Sequence, residues 1–376
     1  MANNTQNTDP TTQKIHGIPL LTEPVQQALN RRQQVDYAEE RCDLLQWLIN
    51  LGKDPEHGDG YSVNTVEPRS YRIDQFYRWV WKEHGGYTTE LTHEYADRYT
   101  KVELAYGDKS NVHNNNCLKA LKMLYKWRRY ERGGEEWDSE MTFKSEQNAP
   151  RDYLRKEERR KIRQASLEYG SIPSYHNLDA GQRDKWKAHL AQRFEKPKNE
   201  VGPSDWERAN GWKIPSLIYV SLDTGLRPVE VENAKKSWVD LDNGELRIPA
   251  KESAKNRENW NPVLTQKTQQ ILGRWLQERE NYDKYDDTDR LWLTREANPY
   301  QTSALKYLLT RLAEEAGMET ENRSFHWYMI RHSTGTYTTH EISGRAAVAQ
   351  IRSEIAPEKY DQVSPELRRK GLEEIG

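Results

Sequence analysis

Leu217-Ile218-Tyr219-Val220-Ser221-Leu222 runs directly into Asp223-Thr224-Gly225-Leu226-Arg227-Pro228. The first six residues are largely apolar and predict a buried helix. Gly225 can adopt a positive φ and so end that helix, whereas Pro228 suits the first turn of a new one. Arg227 would therefore stand between two helices, with its backbone held by the core behind it. The sequence predicts a rigidly placed cation at this junction.

The residues after this junction predict short strands and then more helices. Residues 238–241 and 246–249 have strand character and flank a turn at 242–244, and residues 261–264 predict a third strand. Helical periodicity returns at about residues 266–280, 302–317, 326–340 and 344–352, and Ser364 with Pro365 can begin a last short helix. The C-terminal half is therefore predicted to be mainly helical with one small antiparallel sheet.

Residues 34–131 predict a separate helical region in the N-terminal half. Its last helix carries Leu118, Leu121 and Leu124 on one face. The cations of the same helix recur at spacings that place them together on another face: Lys119, Lys122, Lys126 and Arg129. A continuous cationic face can lie along a DNA backbone, and a merely solvated face is the alternative interpretation.

Three polar segments flank or interrupt these regions. Residues 1–24 begin with an Asn- and Thr-rich stretch and are expected to form a disordered tail. Residues 139–150 follow Gly133-Gly134 and predict a linker between domains at 25–138 and 151–376. The stretch at about 165–210 is polar, contains three prolines and has few aliphatic residues. We expect it to be an insertion without a core of its own.

The composition narrows the class of protein. Of the 376 residues 31% are charged and 35% are hydrophobic, and no apolar run approaches the roughly 18 residues of a membrane span. The net charge is -2, so any nucleic-acid surface must come from local segregation of charge. Cys42 and Cys117 show no metal-ligand or disulfide pattern, and no secretion signal is recognisable. We therefore expect a cytoplasmic protein with no membrane partner.

The chemistry-bearing residues of the C-terminal half are cations and a tyrosine at element boundaries. Arg331 and His332 follow the largely apolar residues 327–330, and Tyr360 precedes the last predicted helix. The sequence offers no metal-ligand cluster, no Gly-rich phosphate loop and no recognisable Ser/His/Asp pattern beside them. Many Trp and Tyr residues adjoin Lys or Arg, which is typical of nucleic-acid surfaces, although such rings can also cap thin helical cores.

Four ordered motifs resemble those of the tyrosine recombinases, the phage integrase family. Residues 223–231 are similar to the first arginine box, with Glu230 at its acidic position, and residues 328–336 are similar to the second. The turn and strands around residues 251–264 resemble the hairpin of the catalytic lysine, and residues 349–352 followed by 359–362 resemble the segment that ends in the nucleophile. The residues of the second box and of the segment that ends in the nucleophile are most similar to those of archaeal, especially haloarchaeal, integrase-like proteins. The resemblance covers residues 149–376 well and the N-terminal helices only by architecture.

This resemblance implies a fold and an assembly. The fold would be mainly α with a small antiparallel β-sheet, and it would combine an N-terminal helical core-binding (SAM-like) domain with a C-terminal tyrosine-recombinase catalytic domain. The partners would be double-stranded DNA and three further copies of the chain, as a homo-tetramer on paired DNA sites. The tail at residues 361–376 would dock on a neighbouring subunit, and docking on its own domain is the alternative.

The resemblance also implies a chemistry without metal or cofactor. Tyr360 would attack a DNA phosphorus atom and form a 3′-phosphotyrosyl intermediate, which retains bond energy for religation. Arg227 and Arg331 would bind the non-bridging phosphate oxygens. Lys251 fits the position of the general acid best, and Lys255 is the alternative. The matched motifs add these candidates to the catalytic set: Tyr328, His332 and Arg352.

Three departures from the family pattern leave other functions possible. Tyr328 stands where the second box usually opens with His, and Ser353 follows Arg352 where the family usually has His or Trp. The segment from Arg352 to Tyr360 is also about two residues short. The alternative functions are a non-catalytic or weakly active DNA-binding relative and a helical protein-interaction module.

Overall fold

The computed structural model describes residues 11–144, 152–253, 259–320, 323, 325–341 and 350. The chain divides into two compact units, Met1–Asn148 and Ala149–Gly376. Both are mainly helical, and each contains one two-stranded antiparallel sheet within the described ranges. None of the helices in these ranges combines the length and the apolar character that a membrane crossing requires.

The first unit is a hairpin followed by a helical bundle. Its elements are β1 (Lys14–Ile15), β2 (Ile18–Pro19), α1 (Glu23–Ala28), α2 (Arg31–Asn50), α3 (Val63–His84), α4 (His93–Tyr99), which continues into a π-helical turn at Thr100–Ala105, and α5 (Asn111–Arg132). Asn30 caps α2 because its side chain accepts the Gln33 N–H while the Gln33 side chain accepts the Asn30 N–H. The core is lined by buried residues such as Leu48, Phe76 and Leu124.

The prediction that residues 1–24 form a disordered tail is wrong for the second half of this segment. Residues 14–19 form the β1–β2 hairpin, and Ile18, Leu20 and Leu21 are buried in the core of the first unit. These three aliphatic side chains give the segment enough apolar surface to pack, which the polar composition of the preceding residues obscured. With this hairpin, the described residues contain two small sheets and not the predicted one. Residues 1–10 lie outside the described residues.

The second unit is built around a buried central helix. Its elements are α6 (Lys156–Glu168), α7 (Ala180–Arg193), α8 (Pro203–Glu207), α9 (Lys213–Thr224), α10 (Pro228–Asn233), β3 (Val239–Asp240), β4 (Glu245–Leu246), α11 (Gln266–Arg279), α12 (Thr302–Glu315) and α13 (Tyr328–Glu341). Helix α9 contacts α6, α11 and α13. Its residues Leu217, Ile218, Val220 and Leu222 are fully buried, as the apolar run predicts.

The small sheet of the second unit agrees with the strand signals in the sequence. Strands β3 and β4 pair antiparallel, with Val239 opposite Leu246. Isolated bridges join Glu245 to Val263 and Ile248 to Trp260, so the third predicted strand pairs where it was expected. The hairpin is therefore present, with shorter regular strands than the sequence pattern predicts.

The prediction that residues 165–210 lack a core of their own is wrong. Six buried residues of this stretch pack together: Ile172, Trp186, Leu190, Val201, Trp206 and Ala209. Two tryptophans and one leucine bury enough surface to replace the aliphatic residues that the segment lacks. Asp179 caps α7, since its side chain accepts the Gln182 N–H at 2.8 Å. The segment is a small helical subdomain of the second unit.

Candidate active site

The junction between α9 and α10 has the geometry that the sequence predicts. Gly225 ends α9 in the left-handed region, with φ 67° and ψ 33°, and its N–H donates to the Ser221 carbonyl at 2.8 Å. Arg227 is the N-cap of α10, and Pro228 occupies the first helical position. Leu226 is fully buried between them. The backbone of Arg227 is therefore fixed by the core.

A buried carboxylate orients the Arg227 side chain. Glu230 is 1% exposed, and its Oε2 accepts the backbone N–H of Arg227 at 2.7 Å. Its Oε1 accepts a hydrogen bond from Arg227 Nη1 at 2.8 Å, and the Arg227 side chain remains 16% exposed. A guanidinium group has five N–H donors, so one bond to Glu230 leaves donors for a further acceptor. Glu230 thus holds a partly exposed cation in a fixed direction.

Arg331 reaches the same junction from α13. Its side chain is 3% exposed, and its Nη1 donates to the carbonyl oxygen of Gly225 at 2.8 Å. A Cβ atom added to Gly225 would lie 3.6 Å from Arg331 Cγ and 3.4 Å from Thr334 Cβ. The structure therefore brings the second arginine box against the turn that leads to Arg227.

Two arginines of α6 tie these elements together. Arg159 donates through Nη2 to the Leu222 carbonyl at 2.7 Å, near the end of α9, and through Nη1 to Ser333 Oγ of α13 at 2.8 Å. Arg163 pairs with Asp223 at 2.9 Å. Cations are favourable at the C-terminal end of a helix because they interact with its last carbonyl groups. Neither arginine is among the candidates that the sequence motifs single out, although their i, i+4 spacing on a charged helix signals a shared face.

The hairpin segment that carries Lys251 is anchored at the neighbouring residue. Lys251 is exposed. Glu252 accepts hydrogen bonds from Lys235 Nζ and from Trp238 Nε1, both at 2.7 Å. The Lys235 ammonium lowers the pKa of Glu252, so this carboxylate stays charged near neutral pH. Lys255, the alternative general acid, lies outside the described residues.

Gln350 connects three of the predicted motifs. Its Nε2 donates to the carbonyl oxygens of Asp223 at 3.0 Å and Val263 at 2.9 Å, and its Oε1 accepts the Val263 N–H at 3.0 Å. The amide therefore pairs with the Val263 backbone as a neighbouring strand would. This residue precedes Arg352 and Tyr360 in sequence, and both of these candidates, together with the tail at 361–376, lie outside the described residues.

Tyr328 and His332 share one face of α13. Tyr328 is 43% exposed and His332 is 8% exposed. Their ring centroids are 6.3 Å apart, with an interplanar angle of 32°. His326, which precedes Tyr328 by two residues, has a buried Nδ1 without a hydrogen-bond partner among the described residues. Of this pair, Tyr328 is therefore more accessible to a ligand than His332.

The predicted cationic face of α5 is partly occupied by bonds within the first unit. Lys126 Nζ donates to the carbonyls of Gly52 and Lys53, both at 3.0 Å. Lys122 pairs with Asp138 at 2.5 Å and Arg129 pairs with Glu136 at 2.6 Å. Lys119 is exposed. The periodicity correctly places the four cations on α5. The carbonyl acceptors of Lys126 come from a distant part of the chain, whereas the carboxylates that pair with Lys122 and Arg129 follow soon after this helix.

Comparisons with known proteins relate part of the second unit to a known family. Residues 207–351 match the phage integrase family. No curated protein matches the chain in sequence. The XerH site-specific recombinase is similar in structure: its post-cleavage complex with palindromic difH substrate has a TM-score of 0.54 at 16% identity, and its pre-cleavage complex has 0.52 at 15%. Each of these two matches covers 92% of this chain and 89% of the XerH chain.

The XerA recombinase is a further structural match, with a TM-score of 0.44 at 16% identity over 89% of this chain and 96% of that chain. At these identities the likeness to XerH shows a shared fold. The family match includes the Gly225 turn, the hairpin, helix α13 and Gln350. Residues 207–351 are therefore similar to the phage integrase family, and the chain shares the fold of the XerH site-specific recombinase.

Proposed function

We propose that this protein is a site-specific DNA recombinase that breaks and rejoins DNA through a 3′-phosphotyrosyl intermediate. The observation that carries the proposal is the packing of Arg331 against the Gly225 turn that precedes Arg227, inside a phage integrase family domain. Two arginines held this way can present forked donors to one phosphate. The backbone and carboxylate contacts fix these arginines before any DNA binds, so little reorganisation is needed at the reacting phosphate.

The proposed reaction exchanges one phosphodiester for another. The Tyr360 phenolate oxygen forms a bond to phosphorus, and the bond from phosphorus to the 5′ oxygen breaks. The leaving 5′ oxygen takes a proton from Lys251 or Lys255 acting as general acid. Arg227 and Arg331 stabilise the charge that grows on the non-bridging oxygens. Attack by a free 5′-hydroxyl on the phosphotyrosine then reverses these steps and releases Tyr360.

The other candidate catalytic residues have supporting roles. Tyr328 takes the place of the usual His in the second box. This residue is 43% exposed, and a tyrosine hydroxyl can donate a hydrogen bond to a phosphate oxygen. His332 packs beside Tyr328 and orients it. Arg352 adds a further cation in the segment before the nucleophile. The residues of the second arginine box and of the segment that ends in the nucleophile favour an archaeal relative.

The proposed partner is double-stranded DNA, held by a homo-tetramer on paired sites. The XerH structures are complexes with difH substrate, which supports DNA as the ligand of this fold. The first unit would serve as the core-binding domain. Its candidate contacts are Lys119, Lys122 and Arg129, whereas Lys126 would stabilise the unit through the Gly52 and Lys53 carbonyls. Salt titration of DNA binding would measure how many phosphates these cations neutralise.

A suicide substrate tests the proposal. A preferred DNA site is first selected by repeated rounds of binding to the protein. A duplex that carries this site is then nicked close to the cleavage position, so that the released fragment diffuses away. The wild-type protein should accumulate a covalent adduct on this DNA, and the Arg227→Gln and Arg331→Gln variants should form it roughly 10²–10³ times more slowly. DNA binding without any adduct from the wild type would favour the non-catalytic relative, and the absence of salt-sensitive DNA binding would favour the protein-interaction module.

A further inference from the structure

A cavity of about 1140 Å³ opens in the second unit at the beginning of α9. Lys213, the first residue of α9, lines it, and Gly225 lies at the other end of this 12-residue helix, about 18 Å away. Residues of the segments 169–178, 281–284 and 294–295 and of helices α7 and α12 also line it. Its volume is sufficient for a small organic ligand. The cavity is therefore separate from the Gly225 turn.

Two lysine side chains bring positive charge to this cavity. Lys213 Nζ donates to the Leu293 carbonyl at 3.1 Å, and Lys284 Nζ donates to the Thr294 carbonyl at 2.7 Å. Because these two acceptors are consecutive in the chain, the two ammonium groups are neighbours. In the part of the chain that the structure describes, neither ammonium forms an ion pair with a carboxylate. Each ammonium has three N–H donors, so both retain donors for a ligand.

The nearby acidic groups leave this charge incompletely balanced. Glu278 is buried, and its carboxylate accepts the Trp212 N–H and the Tyr282 hydroxyl. Burial raises the pKa of Glu278 to about 7, so a substantial fraction is neutral near pH 7. Asp283 also lines the cavity, but its carboxylate is engaged by Gln182 and by Lys185, the latter at 3.7 Å. Glu296 is the remaining carboxylate that acts on Lys284.

The two ammonium groups also repel each other. Burial, together with the charge of Lys284, lowers the pKa of Lys213 to about 8. Burial likewise lowers the pKa of Lys284. A bound anion would relieve both effects, since an opposite charge favours the protonated form of each lysine. The cavity thus favours a negatively charged ligand group next to these two side chains.

Aromatic rings supply the rest of the lining. Trp186 and Tyr282 meet edge to face, with centroids 5.0 Å apart. Tyr300 is 7% exposed, and its ring lies 5.9 Å from Lys213 Nζ. Tyr307 also lines the cavity and is 65% exposed, which leaves its ring accessible from solvent. Such rings offer flat apolar surface to a planar ligand.

We propose that this cavity binds a small organic anion that consists of a planar aromatic ring and a phosphate or carboxylate group. The anionic group lies between Lys213 and Lys284, and the ring packs against Tyr282 and Tyr300. This site is distinct from the proposed recombination site and does not depend on it.

The experiment uses the full-length protein and four probes: 1-naphthyl phosphate, 1-naphthoate, neutral 1-naphthol and inorganic phosphate. Isothermal titration calorimetry should give saturable binding of at least one of the two aromatic anions. Affinity for 1-naphthol and for inorganic phosphate should be at least about tenfold lower, because each lacks one half of the recognised group. The ratio between the two aromatic anions identifies the preferred acid.

Matched variants assign the binding to the two lysines. Lys213→Met and Lys284→Met should each lower the affinity for the preferred probe by about tenfold or more while retaining a cooperative melting transition. Lys306→Met removes an exposed charge next to Tyr307 and should leave the affinity unchanged. The proposal is overturned if neither aromatic anion binds at about 1 mM. Equal affinity in the wild type and both lysine variants would also overturn it. Displacement of the probe by duplex DNA, with a parallel loss of DNA affinity in Lys213→Met, would instead assign the lysines to a DNA surface.

Discussion

The Arg331 guanidinium donates a hydrogen bond of 2.8 Å to the carbonyl oxygen of Gly225, the residue that ends α9. Arg227 follows two residues later and is held by Glu230. The two arginines are thus fixed by contacts that belong to one small piece of backbone, although more than a hundred residues separate them in the chain. This relationship makes the Gly225 turn the structural centre of the candidate active site.

Replacing Gly225 by alanine should damage both stability and chemistry. The residue has φ 67°, a conformation that costs an L-residue with a side chain about 1–2 kcal/mol. We expect Gly225→Ala to lower the free energy of unfolding by about this amount in a urea titration, and to slow adduct formation on a nicked duplex. Gly317→Ala is the matched control, since Gly317 has φ 63° with open space around it. It should lose similar stability and keep its rate. Equal rates for the two variants would contradict the role given to Gly225.

Arg159 should act as a positioning residue for both arginines. It bonds to Leu222 of α9 and to Ser333 of α13, so its loss releases the two elements from each other. We expect Arg159→Gln to slow adduct formation by about tenfold or more while DNA affinity changes by less than about threefold. Arg159→Lys should recover part of the rate, because an ammonium can still donate to the Leu222 carbonyl.

Arg160→Gln provides the control on the same helix. Its side chain is 80% exposed and pairs with Glu157. This variant should match the wild type in both measurements. If Arg159→Gln and Arg160→Gln behaved alike, α6 would have no part in positioning the site.

The cations of α5 should separate into two functional groups. Lys119 is exposed, so Lys119→Gln should reduce the slope of log affinity against log salt by about 0.9 if this side chain contacts a DNA phosphate. Lys126→Gln should instead lower the free energy of unfolding by about 1 kcal/mol, because Gly52 and Lys53 lose a charged donor. Its salt slope should stay unchanged. A reduced slope for Lys126→Gln with unchanged stability would reverse this assignment.

Glu278 should make stability depend on pH. Burial raises its pKa from 4.5 to about 7, so the folded state favours the protonated form. This contribution to stability is fully present below pH 4.5 and is lost as the pH rises through about 7, with a total change of about 3 kcal/mol at most. Urea midpoints measured from pH 4.5 to pH 8 should fall in the wild type, and Glu278→Gln should remove that part of the decline. An identical pH profile in the variant would show that another group is responsible.

The backbone of the candidate site is predictable from the sequence because its signals are local. Gly225 and Pro228 set dihedral angles, and the apolar run before them can only be a buried element. The structure confirms this helix, this turn and the position of the hairpin. Arg227 and Arg331 therefore stand on the elements that the sequence predicts.

The contacts that orient the site depend on residues distant in sequence, which no local pattern reveals. Arg159 finds its acceptors on two other helices, and Lys126 turns toward carbonyls that follow α2. The packing of residues 165–210 depends in the same way on Trp186 and Trp206, which join one buried cluster although a polar stretch separates them in sequence. Periodicity predicts which face a side chain occupies, whereas its partner depends on tertiary packing.

The identity of the covalent bond is the most direct test of the proposed function. Adduct trapped on a nicked duplex should be digested with protease and nuclease, and the modified peptide sequenced by mass spectrometry. We predict a nucleotide joined through its 3′ phosphate to Tyr360, a free 5′-hydroxyl on the released strand, and no adduct in Tyr360→Phe. A modification on Tyr328 or another residue, a 5′-phosphate linkage, or an adduct that persists in Tyr360→Phe would contradict the account.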